Sequence, residues 1–157
     1  MCYITRNGYE ELYRSFLNVD NEILETNKKI GESVKLDNDL RENPEFMQLR
    51  VKAMYELPKK KEKLWKKYKD AIIIEDMDSY KKFDGQTVII GSIVEIDFGG
   101  EKCTYTILGT DEGNLEEGVL SCDAPIAKAL IGKHVGDTVI FNDVMILILT
   151  IEKYAWQ

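Results

Sequence analysis

Asp39-Leu40-Arg41-Glu42-Asn43 is a short acidic stretch set between two long segments of helical periodicity. Two carboxylates on a tight turn, with a stalk on either side, describe a probe for another molecule's site. A self-contained enzyme would wrap its carboxylates in a pocket. On the N-terminal side, from Gly8 to about Val34, the residues Leu12, Phe16, Val19, Ile23 and Ile30 recur at spacings of three and four, and Thr26 fills the missing step. This is a seam of the coiled-coil type. On the C-terminal side, Asn43-Pro44-Glu45 opens a second helix, because Asn caps, Pro suits the first helical position and Glu suits the dipole. The apolar positions continue through Phe46, Leu49, Ala53, Leu57, Leu64, Tyr68 and Ile72. Joined over residues 35–43, the two segments predict an antiparallel hairpin with arms roughly 40 Å long at 1.5 Å per residue.

A hairpin of this kind has one buried seam and no second layer, so it must be rooted on another domain. Pro58 falls inside the second helix, where it removes one backbone hydrogen bond and crowds the carbonyl of Met54. A kink is expected there, because the apolar spacing resumes at Leu64; the alternative is a break into two helices near Leu57.

Between Ile74 and Asp84 the pattern changes. Helical spacing gives way to Val88-Ile89-Ile90, then to alternation from Ile93 to Phe98, a Gly99-Gly100 pair, and Cys103 to Leu108. Two apolar runs separated by a glycine pair predict a β-hairpin. A short helix is expected from Pro125 to Leu130, ended by Gly132, followed by strands at Thr138 to Phe141 and Met145 to Ile151. The fold class is therefore α+β. Residues 1–76 form the coiled-coil hairpin and residues 77–157 an antiparallel sheet covering one short helix.

Composition narrows the function. The 157 residues include 44% hydrophobic and 31% charged side chains, and the formal net charge is −7. Nucleic-acid affinity is dominated by Lys and Arg neutralising phosphates, so any nucleic-acid role must be local or borrowed from a partner. A partner with a basic opening would attract this chain. Cys2, Cys103 and Cys122 are odd in number and widely spaced, which suggests neither a disulfide framework nor a zinc pair and fits a reducing cytosol. Met1-Cys2-Tyr3-Ile4 opens no signal peptide, and the apolar run from Met145 to Leu149 is too short to span a membrane. A cytoplasmic protein with no membrane association is expected.

Asp39 and Glu42 are three apart on a turn, so their carboxylates can point the same way. Such a pair is hard and oxygen-donating, suited to Mg²⁺, but two exposed carboxylates hold that reluctant ion poorly. The pair makes sense as half of a site completed by another protein's acids and by phosphate oxygens, as two-metal phosphoryl transfer requires. The blander account is a solvated acidic turn beside a helix cap.

The longer string favours the first account. Asn38-Asp39-Leu40-Arg41-Glu42-Asn43-Pro44-Glu45-Phe46 resembles the tip of the bacterial Gre-type transcript-cleavage factors, where the matching string is Gly-Asp-Leu-x-Glu-Asn-Ala-Glu-Tyr. A second block, Ser121-Cys122-Asp123-Ala124-Pro125-Ile126-Ala127-Lys128-Ala129-Leu130-Ile131-Gly132-Lys133, continued by Gly136-Asp137, resembles that family's C-terminal signature. With Gly8 and Leu12, the resemblance spans essentially the whole chain in order.

The resemblance implies an accessory transcription elongation factor rather than an enzyme. Gre factors bind bacterial RNA polymerase through an FKBP-like C-terminal domain and insert the coiled coil into its secondary channel. There the tip acids help hold a catalytic Mg²⁺ while the polymerase's own active site cleaves backtracked RNA. By position, Asp39 and Glu42 take the catalytic, metal-sharing role. Arg50 falls on a basic position near the nascent RNA 3′ segment, and Ser121, Asp123 and Pro125 fall in the polymerase-docking segment. Mg²⁺ is expected only within the polymerase complex, with none on the free protein, which is expected to be a monomer. Departures from the family pattern are Asn38 for Gly, Pro44 for Ala, Pro58, and Asn142-Asp143-Val144-Met145 in place of a Pro-x-Gly turn.

Other residues have plainer explanations beside functional ones. Asp123 before Pro125 is also a good helix start. Lys59, Lys60, Lys61, Lys63, Lys66, Lys67 and Lys69 form a solvated helix face or a surface for RNA or an acidic polymerase patch. His134 has no nucleophile or ligand set near it in sequence and is assigned no chemistry. Phe98, Tyr105 and Phe141 are expected in the sheet core. Two competing functions are a channel binder that modulates polymerase without cleavage, and a prolyl isomerase or chaperone built on the C-terminal domain.

Overall fold

The computed structural model describes residues 2–36 and 43–156. The expected acidic tip, with Asp39 and Glu42, lies outside the described residues. The chain divides into two compact units, residues 10–70 and residues 1–9 with 71–157. The boundaries thus fall at 9/10 and 70/71, where the sequence placed a single one after residue 76. Pairing explains the difference: β1 (Cys2–Ile4) lies parallel to β2 (Ala71–Ile73) with Cys2 opposite Ala71, so the first residues of the chain belong with the C-terminal unit.

In the helical unit, α1 (Arg6–Leu36) presents the expected seam. Val19 and Thr26 are buried, and Leu12, Phe16, Ile23 and Ile30 are half-buried. Thr26 is tolerated in that seam because its hydroxyl donates to the Glu22 carbonyl at 2.7 Å, which leaves no polar group unsatisfied. The second arm comprises α2 (Pro44–Val51) and α3 (Leu57–Asp70), joined by a π-helical stretch at Lys52–Glu56. Leu57 N–H donates to the Lys52 carbonyl five residues back, and Val51, Lys52 and Leu57 all keep right-handed helical angles. The second arm is therefore neither broken nor simply bent by a missing bond at Pro58.

Seam phase explains the wide turn. Phe46, Leu49 and Ala53 advance by three and four, and a strict heptad would next bring residues 56 and 60 inward. Instead Glu56 is exposed, Leu57 is 3% exposed, and Leu64 and Tyr68 follow it inward. One residue too many has entered the repeat. Continuing as an α-helix would rotate the apolar stripe about 100° off the seam, and one π turn absorbs the surplus. Pro58 sits just beyond it, where the wider turn eases the crowding that proline imposes on the carbonyl four residues back.

The other unit is built on a five-stranded sheet of order β5-β4-β3-β7-β6, comprising β3 (Ser92–Phe98), β4 (Glu101–Leu108), β5 (Val119–Ser121), β6 (Thr138–Phe141) and β7 (Val144–Lys153). The β3–β4 hairpin turns on Gly99 and Gly100, both at positive φ, with Asp97 Oδ1 accepting Gly100 N–H at 2.7 Å. Asn142 and Asp143 make the equivalent two-residue turn between β6 and β7, both in the left-handed region, which these two residue types tolerate better than most. Alternation along β3 sends Val94 and Ile96 inward to meet Ile146, Ile148 and Ile151 of β7. The core also takes Ala127 and Leu130 from α5 (Pro125–Leu130), so this short helix covers the sheet's apolar face.

One sequence expectation needs correction. The sheet is mixed rather than wholly antiparallel, because β5 pairs parallel to β4. Val88-Ile89-Ile90 does not enter the sheet. Gly91, at φ +92°, and Ser92, whose hydroxyl donates to the Ile89 carbonyl at 2.7 Å, turn the chain there. Val88 is apolar because it is buried in the core, not because it is a strand residue. A small helix, α4 (Asp78–Lys81), precedes this turn and buries Tyr80.

Candidate functional site

Asn43 and Pro44 set the helical start next to the tip. Asn43 Oδ1 accepts the N–H groups of Glu45 at 3.0 Å and Phe46 at 3.2 Å, and Pro44 holds the first helical position. Two orphan donors at the start of this helix are thereby satisfied. Phe46 is buried, and the exposed Arg50 guanidinium lies 5.8 Å from its ring centroid. Arg50 is thus held to the same arm as the cap, one turn further on.

Below the cap the two arms are cross-braced. Lys52 Nζ reaches Glu22 Oε1 at 2.6 Å, and Lys61 pairs with Asp20. The hydrogen bond to Lys52 holds the Glu22 carboxyl below its ordinary value, and the same bond raises Lys52. A shallow hollow of about 460 Å³ is lined by Met47, Gln48, Val51, Lys52 and Glu56. Met47, Val51, Met54 and Tyr55 beside it are all exposed. The sequence carried a signal for this patch, since these residues are apolar yet out of phase with the seam.

In the second block, Ser121, Asp123 and Pro125 come together at the end of β5 and the start of α5. Ser121 Oγ accepts Asp123 N–H at 3.3 Å, and Asp123 Oδ1 lies 3.6 Å from Lys128 Nζ. The N-cap of α5 is Ala124, without a side-chain cap. Asp123 therefore does not cap the helix; it is an exposed carboxylate held over the first turn by a lysine of the same helix. Cys122 beside it is buried, which raises its thiol pKa, and its Sγ lies 3.7 Å from the Thr110 hydroxyl. The backbone N–H of His134 donates to Asp137 Oδ2 at 2.8 Å, in keeping with a turn rather than chemistry.

Sequence reasoning missed Glu75 and Glu112. The first turn of α1 holds no acidic residue of its own. Glu75 accepts Arg6 N–H at 2.8 and 3.0 Å, and Glu112 accepts from Thr5 N–H, the Thr5 hydroxyl and Gly109 N–H. Two distant carboxylates thus supply the negative charge that a helix N-terminus favours. No local pattern could have signalled a cap contributed from so far along the chain. Among the described residues no group of three or more His, Cys, Asp or Glu is placed to hold a metal ion, and no helix is long and apolar enough to cross a membrane.

The described residues thus comprise a helical unit of two cross-braced arms and a sheet unit with the Asp123 carboxylate exposed. The family model described as "Transcription elongation factor, GreA/GreB, C-term" matches residues 84–153. Transcription elongation factor GreA of Nautilia profundicola is 31% identical over 147 residues, covering 88% of this chain and 84% of that protein. GreA of Maridesulfovibrio salexigens is 44% identical over only 61 residues, 37% of this chain and 38% of that protein. The solved structure of GreA factor homolog 1 from Thermus thermophilus covers 96% of this chain and 97% of that one, at 20% identity and a TM-score of 0.41. The chain belongs to the GreA/GreB family of transcription elongation factors.

Proposed function

We propose that this protein binds bacterial RNA polymerase, inserts its helical hairpin into the secondary channel and stimulates the polymerase's own cleavage of backtracked nascent RNA. The observation that carries this is the Asn38–Phe46 string, with Asp39 and Glu42 between the two helical arms of a GreA/GreB-family chain. The factor acts in the cytoplasm as an activator and is not itself the nuclease. Asp123, with Ser121 and Pro125, docks the sheet unit on the polymerase, and Arg50 faces the RNA 3′ segment.

The donor chemistry of the tip fits a shared ion. Asp39 and Glu42 offer too few oxygens to hold Mg²⁺ alone, which keeps several waters unless other carboxylates or phosphates join. They would hold it together with the polymerase's acids, and the ion would supply charge stabilisation and an activated water. The cap at Asn43 and Pro44 fixes where the second arm begins, directly after Glu42 and four residues after Asp39 in sequence. Arg50, one turn beyond Phe46, supplies positive charge for a phosphate.

The test is a stalled, backtracked polymerase complex carrying end-labelled RNA. Shortened, re-extendable transcripts on addition of the factor are the expected result. Polymerase binding with unchanged RNA would replace this function with that of a non-cleaving channel binder.

A further inference from the structure

Two stripes of helical spacing run along α1, one more than a hairpin uses. The inner stripe, from Leu12 to Ile30, is the seam with the second arm. The outer stripe, Tyr13, Leu17, Asp20 and Leu24, advances by four, three and four residues, a heptad spacing of its own. Tyr13 and Leu17 are each 42% exposed and Leu24 is 68% exposed. Two packed helices need only the narrow seam. A wider apolar stripe belongs to a helix with neighbours on two sides, as in a bundle.

The second arm matches it. Pro58, Lys61, Trp65 and Lys69 advance by three, four and four along α3, so they share one face beside the seam residues Leu57, Leu64 and Tyr68. A groove of about 340 Å³ lies between the outer stripes, lined by Phe16, Ile23, Pro58, Lys61, Glu62 and Trp65. Aromatic rings bridge the arms along it: Phe16 and Trp65 lie 5.3 Å apart, and Tyr13 and Tyr68 5.3 Å. Trp65 remains 43% exposed. Asp20 and Lys61, the charges at the centre of the two stripes, pair with each other. The middle of this face is therefore apolar and locally neutral.

We propose that this face joins two copies of the chain, hairpin against hairpin, in a four-helix bundle. The face is self-complementary, which is what a two-fold interface requires. The contacts Tyr13–Tyr68, Phe16–Trp65 and Asp20–Lys61 fix which residues of the two arms stand level. A two-fold axis along the hairpin sets α1 of one copy against α3 of the other at those same levels. Leu17 then meets the partner's Trp65, and Leu24 meets the partner's Pro58. Exposed Glu10 falls beside the partner's Lys69, acid to base at each end. From Tyr13 to Leu24 the face is about 17 Å long, smaller than a standard interface of roughly 800 Å² a side. With a net charge of −7 on each copy, association in the micromolar range is expected.

The experiment uses the full chain without polymerase, so its outcome is independent of the cleavage function proposed above. Sedimentation velocity is followed from about 5 to 300 µM protein, the range in which a micromolar dimer forms. The 18.1 kDa species should give way to one of twice that mass. A Trp156→Phe background leaves Trp65 as the reporting indole, and its emission should shift to the blue with the same midpoint. Leu17→Ser with Leu24→Ser, both at exposed positions, should stay monomeric with an unchanged circular dichroism spectrum. Glu10→Lys and Lys69→Glu should each weaken the dimer about threefold to fivefold, the scale of an exposed ion pair, and together restore it. A monomer at the highest concentration leaves the face to some other protein and overturns the proposal. So does a dimer that survives the paired leucine substitutions, forms without a shift in Trp65 emission, or is not restored by the combined charge swap.

Discussion

Thr5 and Glu112, 107 residues apart, are joined side chain to side chain: the Thr5 hydroxyl donates to Glu112 Oε1 at 2.6 Å while accepting Gly8 N–H at 2.9 Å. The start of the longest helix, which belongs with residues 71–157, thus depends on a loop residue far along the chain. Gly8 is required by the same contact, since a Cβ there would lie 2.4 Å from Glu112 Oε1 and 2.9 Å from Ile4 Cγ1. Glu112→Ala should cost about 2 to 3 kcal/mol, because a charged acceptor of several hydrogen bonds is lost. Gly8→Ala should also lower the unfolding midpoint. Chemical denaturation measures both, and a Gly8→Ala protein as stable as wild type would show that the contact yields easily.

Pro58→Ala should leave the π turn in place and change stability by less than about 1 kcal/mol. The surplus residue holds that turn, and the alanine does not remove it. Deleting the exposed Tyr55 in the Pro58→Ala background should instead give a continuous α-helix with Leu57, Leu64 and Tyr68 in regular phase. Circular dichroism and urea unfolding distinguish the two variants. A gain near the roughly 3 kcal/mol cost of an interior proline from Pro58→Ala alone would mean that proline, not phase, sets the turn.

Acid should destabilise the sheet unit through Asp84 and Asp137. Backbone N–H donation from Gln86 and then Thr87 lowers the Asp84 pKa, and donation from His134 lowers that of Asp137. Each carboxyl binds its proton less readily folded than unfolded. The stabilisation is therefore complete above the ordinary carboxylate range and lost as pH falls through the depressed folded values. Melting temperature against pH should fall on acidification, and an Asp84→Asn, Asp137→Asn variant should show a shallower fall. An unchanged slope would assign the acid response to other carboxyls.

Asp123→Ala should weaken polymerase docking with little effect on folding, since its exposed contact with Lys128 is of a kind worth at most about 1 kcal/mol. Stimulated cleavage should recover at high factor concentration, because only the bound fraction has changed. Activity that stays lost at saturation would give Asp123 a role other than docking.

Asp39→Asn and Glu42→Gln should each abolish stimulated cleavage at saturating factor while polymerase affinity stays near normal. The amides keep size and hydrogen bonding but remove the charge a shared Mg²⁺ needs. Extra Mg²⁺ should partly restore the milder variant by mass action. Cleavage at full rate by the double variant would leave the hairpin as a channel binder only.

Much of this architecture was written in local pattern. Leu12 to Ile30 at threes and fours, the Asn43-Pro44 cap and the Gly99-Gly100 turn each act over a few residues, so periodicity and turn chemistry disclose them. What the pattern concealed depends on residues distant in sequence. β1 and β2 are three residues each and find each other only across the hairpin. Val119–Ser121 becomes a strand because β4 offers it a parallel edge. Ser121, Asp123 and Pro125 were legible as a group through their resemblance to a family signature, whereas the ion pair that takes Asp123 from capping to the surface is a matter of side-chain placement. The π turn was half-legible: the seam's slip by one residue is in the sequence, but it competes for attention with Pro58.

The parallel pairing of Cys2 with Ala71 makes the hairpin a cassette. Its two ends leave from neighbouring strands, so the intervening segment is an insertion whose terminal spacing is fixed while its length is not. Such a segment can lengthen or shorten by matched heptads in both arms without disturbing the strands that hold it. A change of a single residue in one arm has nowhere to go except into a turn of different pitch. The stretch at Lys52–Glu56 is what such a change looks like once it has been accommodated.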